Sequence, residues 1–152
     1  MKRLVLFLTL LTLLIVSVAA ETVSLGGGNS VAVISSSASE TVLQYQIGTF
    51  EKTPVNINGN EWFHLQLPKE GITQEKGYPQ LPVFNRSIIV DNTALMRLDV
   101  YDIEYQDIPL AVAPSKGVIT RDIDPDTVPY TFDNVYQQDD FFPSAVAALS
   151  EP

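Results

Sequence analysis

The 152-residue chain contains no cysteine and a single histidine, His64. Without cysteine there is no disulfide, no thiolate metal site and no thiol nucleophile. A Ser-His-Asp triad could be built on one histidine, but a lone histidine more often serves structure. A zinc site would need His64 and carboxylates alone, an unusual donor set. Basic residues are scarce: Lys+Arg total 9 against 18 Asp+Glu, a net charge of −9. Phosphate recognition needs a basic face that releases counterions, so the balance argues against a nucleic-acid partner. It argues equally against docking on anionic lipid. Gly26-Gly27-Gly28 lacks both the Walker lysine and the dinucleotide spacing. No cofactor or metal is implied, and the chain taken alone is not expected to be an enzyme.

The N-terminus has the three parts of an export signal. Lys2 and Arg3 are the positive region, and Leu4 to Val18 is an apolar run broken only by Thr9, Thr12 and Ser17. Small residues follow, placing signal cleavage at Ala19 or Ala20. A spanning helix needs about 20 apolar residues, more than this run offers. No basic stop-transfer flank follows, so cleavage is expected rather than an uncleaved anchor.

Residues 21–40 are poor in large side chains apart from Val31 to Ile34, and read as a flexible leader or turns. From Thr41 the period becomes two. Leu43, Tyr45 and Ile47 alternate with Gln44 and Gln46, and Phe63, Leu65 and Leu67 alternate with His64 and Gln66. This is the pattern of strands with one wet face, which places His64 on the surface or at an edge. Asn58-Gly59 between them suits a tight hairpin. The prolines of Gly77-Tyr78-Pro79-Gln80-Leu81-Pro82 exclude regular helix and predict an extended crossing segment. Further strands are predicted at 87–90, 96–100 and 108–112, with a bulge where the alternation slips after Tyr101. Met96, Leu98 and Val100 are expected to share one interior with the apolar faces of the first two strands. Only Ser144 to Leu149 offers a turn or two of helix. The fold class is therefore all-β, an antiparallel β-sandwich.

Asp122-Ile123-Asp124-Pro125-Asp126 imitates a calcium loop, but an EF-hand needs Gly at position 6 and Glu at position 12, where Thr127 and Asp133 stand. Trp62 among tyrosines suggests a carbohydrate platform or, more simply, half-buried core. Asn85-Arg86-Ser87 is a glycosylation sequon in form only. Arg121 is harder to dismiss. No Lys or Arg follows it, while Asp122, Asp124, Asp126, Asp133, Asp139, Asp140 and Glu151 do. An ion pair with one of these acids is the plain structural alternative. Ala113-Pro114-Ser115-Lys116-Gly117 just before it reads as an exposed turn.

Gly77-Tyr78-Pro79-Gln80-Leu81-Pro82-Val83, with Arg86-Ser87 after it, resembles the Gly-x-Pro-x-Leu-Pro signature of the N-terminal propeptide of gingipain-type (family C25) cysteine peptidases. The run Ala113-Pro114-Ser115-Lys116-Gly117-Val118-Ile119-Thr120-Arg121 resembles that propeptide's most distinctive stretch. Pro125-Asp126, Val128-Pro129-Tyr130, Tyr136, Asp139, Phe141-Phe142-Pro143 and Ala147 to Pro152 continue the likeness. The resemblance implies a β-sandwich prodomain that folds ahead of its peptidase and blocks it. In the arginine-specific members a prodomain loop arginine occupies the S1 pocket, and Arg121 stands at that position. An acidic S1 floor would receive the guanidinium bidentately. Pro114, Ser115, Lys116 and Gly117 would shape the loop, with Lys116 on its rim and contributing little. Asp133 and Asp140 depart from the family pattern, where a familiar member has Gly and Lys.

The expected division is a signal peptide at 1–20, a leader at 21–40 and a propeptide domain at 41–152. The last is expected to be truncated at its C-terminus, because the family's prodomain continues and a catalytic domain follows. The implied partner is a C25 peptidase catalytic domain, in cis or in trans. The implied location is outside the cytoplasm of a bacterium: secreted, periplasmic or on the cell surface. A stand-alone secreted β-sandwich module for binding or adhesion is the alternative.

Overall fold

A computed structural model of the chain describes residues 19–91 and 93–149. The apolar run of the export signal lies outside them, as does Asn92. The described chain is all-β and antiparallel, as the alternation predicts, with short 3-10 turns at Pro125–Thr127 and Asn134–Gln137.

Among the described residues three small sheets carry the fold. The largest joins β1 (Glu21–Ser24), β4 (Thr49–Ile57) and β5 (Asn60–Gln66), with β4 central. β4 and β5 form a hairpin through the expected Asn58-Gly59 turn, but the strand that enters it is Thr49–Ile57, which no alternation marked, and not the Leu43, Tyr45 and Ile47 segment. Asn58 and Gly59 both take positive φ, 54° and 84°, the conformation a two-residue primed turn requires. Ile57 faces Asn60 at its base and Glu51 faces Gln66 at its open end. The second sheet pairs β2 (Ser30–Ser36) with β3 (Thr41–Gln46), and the third pairs β6 (Gly71–Ile72) with β7 (Pro82–Val83).

Residues 21–40 are not a loose leader: they hold β1 and β2. Composition misleads here because β1 finds its ladder partner in β4, the Asn29 clasp reaches Gly48 and Thr49, and β2 is held by pairing with β3 rather than by large side chains of its own. The Asn29 side chain accepts from the N–H groups of Gly48 and Thr49 and donates to the Thr49 carbonyl. A Cβ on Gly48 would lie 2.5 Å from the Gly27 backbone, so this crossing is closed to any larger residue.

The core is small and sits under β4 and β5. Phe50, Ile57, Leu67 and Ala113 are buried, Leu67 to 1% exposure. Phe63 and Leu65 are half-buried. Tyr45, Ile47, Met96, Leu98 and Val100, assigned to the interior by their period, are exposed. Period two identifies a pleated segment, but burial also needs a covering layer. Residues 87–90 and 96–100 form no ladder among the described residues, and Val112 makes only an isolated parallel bridge to Phe63. Where the alternation slips, Asp102 takes φ 54°, a local kink without the paired strand that would make it a bulge. Ser144 to Leu149 forms no helix.

The Trp62 and His64 face of β5 is not wet. Tyr130 to Tyr136 folds across it, with Trp62 4.8 Å from Phe132 and 5.6 Å from Tyr136 between ring centroids. Phe132 meets Tyr136 edge-on at 5.0 Å. Such contacts are worth about 0.5–1.5 kcal/mol beyond the area they bury. Trp62 is therefore packed rather than presented as a platform.

Candidate functional site

The segment around Arg121 is built from its stem outward. Ala113 and Pro114 are fully buried and Ser115 is 3% exposed, so the start of this run is an anchored stem and not the exposed turn its composition suggests. The reason is backbone pairing with the Gly-x-Pro-x-Leu-Pro segment. Gln80 N–H donates to the Ala113 carbonyl, Ser115 N–H to the Tyr78 carbonyl, and Gly77 N–H to the Ser115 carbonyl, at 3.0, 2.8 and 2.9 Å. Ala113 N–H reaches back to the Phe63 carbonyl at 2.9 Å. The two stretches that resemble the family most are thus bound to each other and to β5.

Gly117 turns the chain out of this stem. Its φ is 87°, and a Cβ there would come within 3.2 Å of Lys76. The Ser115 hydroxyl accepts from its N–H at 3.1 Å. Beyond it Val118, Thr120, Arg121, Asp122 and Ile123 are exposed. The loop is gathered again at Pro125, whose carbonyl accepts from Lys116 Nζ at 2.8 Å. The same ammonium lies 4.4 Å from the centroid of the Tyr130 ring. Lys116 therefore joins the two ends of the loop, where charge alone marks it as a rim residue. The Asp124 carboxylate accepts from the Asp126 N–H and caps the 3-10 turn.

Tyr130 carries the brace down to the sheet. Its Oη and His64 Nε2 are 2.8 Å apart. Burial and the neighbouring Lys116 charge hold the His64 pKa below its usual value, so the imidazole is neutral at neutral pH. His64 Nδ1 is buried without a protein partner. Burial also raises the Tyr130 phenol, as does Asp126. Nearby, the Tyr136 hydroxyl donates to the Val112 carbonyl at 3.0 Å. Sequence reasoning missed His64, Tyr130 and Tyr136 as supports of the loop. The signal lay in the aromatic density after residue 129, but its destination on β5 did not.

Arg121 projects from the tip. The ion pairs among the described residues are Lys52–Glu21, Arg86–Glu70 and Arg97–Asp99, and none involves Arg121. Among the described residues the alternative, an ion pair with a neighbouring acid, is not formed; Glu151 lies outside them. The result is an exposed guanidinium on a loop closed by Lys116 and standing on a packed stem. Ala19 and Ala20 lie exposed ahead of β1, far along the chain from this site.

The described residues form a β-rich domain of short antiparallel sheets. The family model of the C25 propeptide matches residues 21–152, and the chain belongs to that family. It is 35% identical over 133 residues to gingipain R2 of Porphyromonas gingivalis, a match covering 84% of this chain and 17% of that protein. It is 33% identical over 112 residues to gingipain R1 of the same species, covering 66% of this chain and 11% of that one. A solved complex of the Porphyromonas gingivalis RgpB pro- and mature domains contains a chain that superposes with a TM-score of 0.74 at 32% identity. That match covers 80% of this chain and 64% of the other. The chain thus spans a minor part of the curated relatives it matches.

Proposed function

We propose that this chain is the propeptide of a secreted gingipain-like cysteine endopeptidase, that it inhibits the peptidase domain, and that it assists its folding. Residues 1–20 are its export signal, cut at Ala19 or Ala20, which delivers it outside the cytoplasm. The family match begins at Glu21, the residue after the second of these sites, which supports that division.

One observation carries the inhibitory reading: Arg121 is exposed, makes no ion pair among the described residues, and stands on a braced stem. An exposed guanidinium at a loop tip fits a narrow acidic pocket, where planar bidentate pairing is strong. The preformed stem lowers the ordering cost of presenting it. The partner is the catalytic domain of a C25 peptidase of arginine specificity, and Arg121 fills its S1 pocket as a substrate's P1 arginine would. A propeptide seen in complex with a mature domain, at 32% identity to this chain, is consistent with such a partner.

The test is inhibition of the mature domain of an arginine-specific gingipain by the purified chain, followed with an arginyl peptide substrate. Tight competitive inhibition is expected. Absence of inhibition, together with binding in a glycan screen, would replace this reading with that of an adhesion module.

A further inference from the structure

An inhibitor that offers an arginine to an arginine-specific peptidase faces hydrolysis of the next peptide bond. The backbone at that bond is not in the form a peptidase cuts. Ile123 N–H donates to the Thr120 carbonyl at 3.1 Å, which makes Thr120–Ile123 a β-turn with Arg121 and Asp122 at its two corners. Across the tip, the Thr120 hydroxyl donates to Asp122 Oδ1 at 2.5 Å. That bond holds the Asp122 carboxyl below the usual range, so it is ionised at neutral pH. The loop is closed one step further out by Lys116 and Pro125.

Peptidases take substrate backbone in extended form, with main-chain bonds on either side of the scissile carbonyl. Attack needs that carbonyl aligned with the nucleophile and with the donors that will hold the oxyanion. In the turn, the Thr120 carbonyl is already used by Ile123. The Arg121 carbonyl is held at a corner, and the Asp122 carboxylate lies on its leaving side. Hydrolysis there would add one water, leaving a carboxylate on Arg121 and an amine on Asp122.

We propose that Thr120 and Asp122 form a clasp across Arg121 that keeps the Arg121–Asp122 bond uncut while the arginine side chain is presented. The clasp makes the loop an inhibitor instead of a substrate, and it rests on the reading of Arg121 as the S1 plug. Thr120 and Asp122 are positioning residues: they act through the backbone of Arg121.

Four chains separate the possibilities: wild type, Thr120→Val, Asp122→Ala and Asp122→Asn. Thr120→Val removes the donor but keeps the β-branched shape and the carboxylate. Asp122→Asn removes the charge but keeps an acceptor for Thr120. All these side chains are exposed, and circular dichroism confirms the fold of each. Each chain is incubated with the mature domain of an arginine-specific gingipain and, separately, with trypsin, which also takes an arginine in its S1 pocket. Intact mass reads the cut between Arg121 and Asp122. Thr120→Val and Asp122→Ala should be cut about ten-fold faster or more, the loss expected for one hydrogen bond to a charged group. Asp122→Asn should stay close to wild type. Thr120→Val as resistant as wild type, or Asp122→Asn cut as fast as Asp122→Ala, would overturn the clasp. The trypsin arm needs no gingipain binding, so a failed plug and a failed clasp give different patterns.

Discussion

Lys116 offers the sharpest perturbation of the loop's support. Its ammonium donates to the Pro125 carbonyl at 2.8 Å and lies 4.4 Å from the Tyr130 ring centroid. A hydrogen bond from a charged donor is worth about 1.5–3 kcal/mol, and the half-exposed site argues for the lower end. An exposed cation–π contact adds about 0.5–1 kcal/mol, partly shared with the same geometry. Replacement by water offsets some of this, so Lys116→Met should loosen the loop by roughly 1–2 kcal/mol. At 1.4 kcal/mol per decade that is about a 5- to 30-fold weaker inhibition constant. The assay is inhibition of an arginine-specific gingipain, paired with urea denaturation of the free chain. Both should move, because the contacts lie within the folded chain. The Lys116 charge also helps hold His64 low, so the His64 titration should rise in the same variant, read by NMR. Lys116→Met with an unchanged inhibition constant, unfolding midpoint and His64 titration would refute the brace.

Three further outcomes are expected. Leu67→Ala should cost about 2–5 kcal/mol in two-state denaturation, since Leu67 is almost wholly buried and leaves a cavity; a cost under about 1 kcal/mol would misplace the core. His64 titrates lower in the folded chain than unfolded, so the unfolded chain binds more protons as pH falls below about 6.5. Stability should therefore drop on acidification below about pH 6.5, and His64→Gln should flatten that slope; an identical slope in the variant would contradict the assignment. Exported protein should begin at Ala20 or Glu21 by mass spectrometry, and a retained Met1 would rule out the signal.

The turn and second strand of the β4–β5 hairpin were legible, because Asn58-Gly59 encodes its own turn and Phe63, Leu65 and Leu67 alternate after it; β4 itself was not, since the alternation before the turn belongs to β3. The burial of that hairpin was only half legible. Its Phe63 and Leu65 face could be read, whereas the Trp62 and His64 face owes its cover to aromatic residues some seventy positions later, which no local period reports. Distance also hides β1 and the Asn29 clasp, whose partners lie about twenty to thirty residues on, whereas β2 pairs with the adjacent β3 and was missed because its small, polar composition reads as a turn. Met96, Leu98 and Val100 show the converse error, alternation taken as burial where no covering layer lies over it. At the site, Arg121 stood out as the last cation of the chain. The role of Lys116 did not, because a lysine reads as solvated until the carbonyl it reaches is placed.

Arg121 is proposed as the group a peptidase recognises. The most direct measurement is the ratio of inhibition constants for wild type and Arg121→Ala against the mature domain of an arginine-specific gingipain, with unfolding midpoints recorded alongside. Arg121 makes no ion pair among the described residues, so its loss should leave the midpoint unmoved. Inhibition should weaken by about 30- to several-thousand-fold, the ~2–5 kcal/mol of a charge-assisted pair buried on binding. Equal inhibition by the two chains would contradict the account.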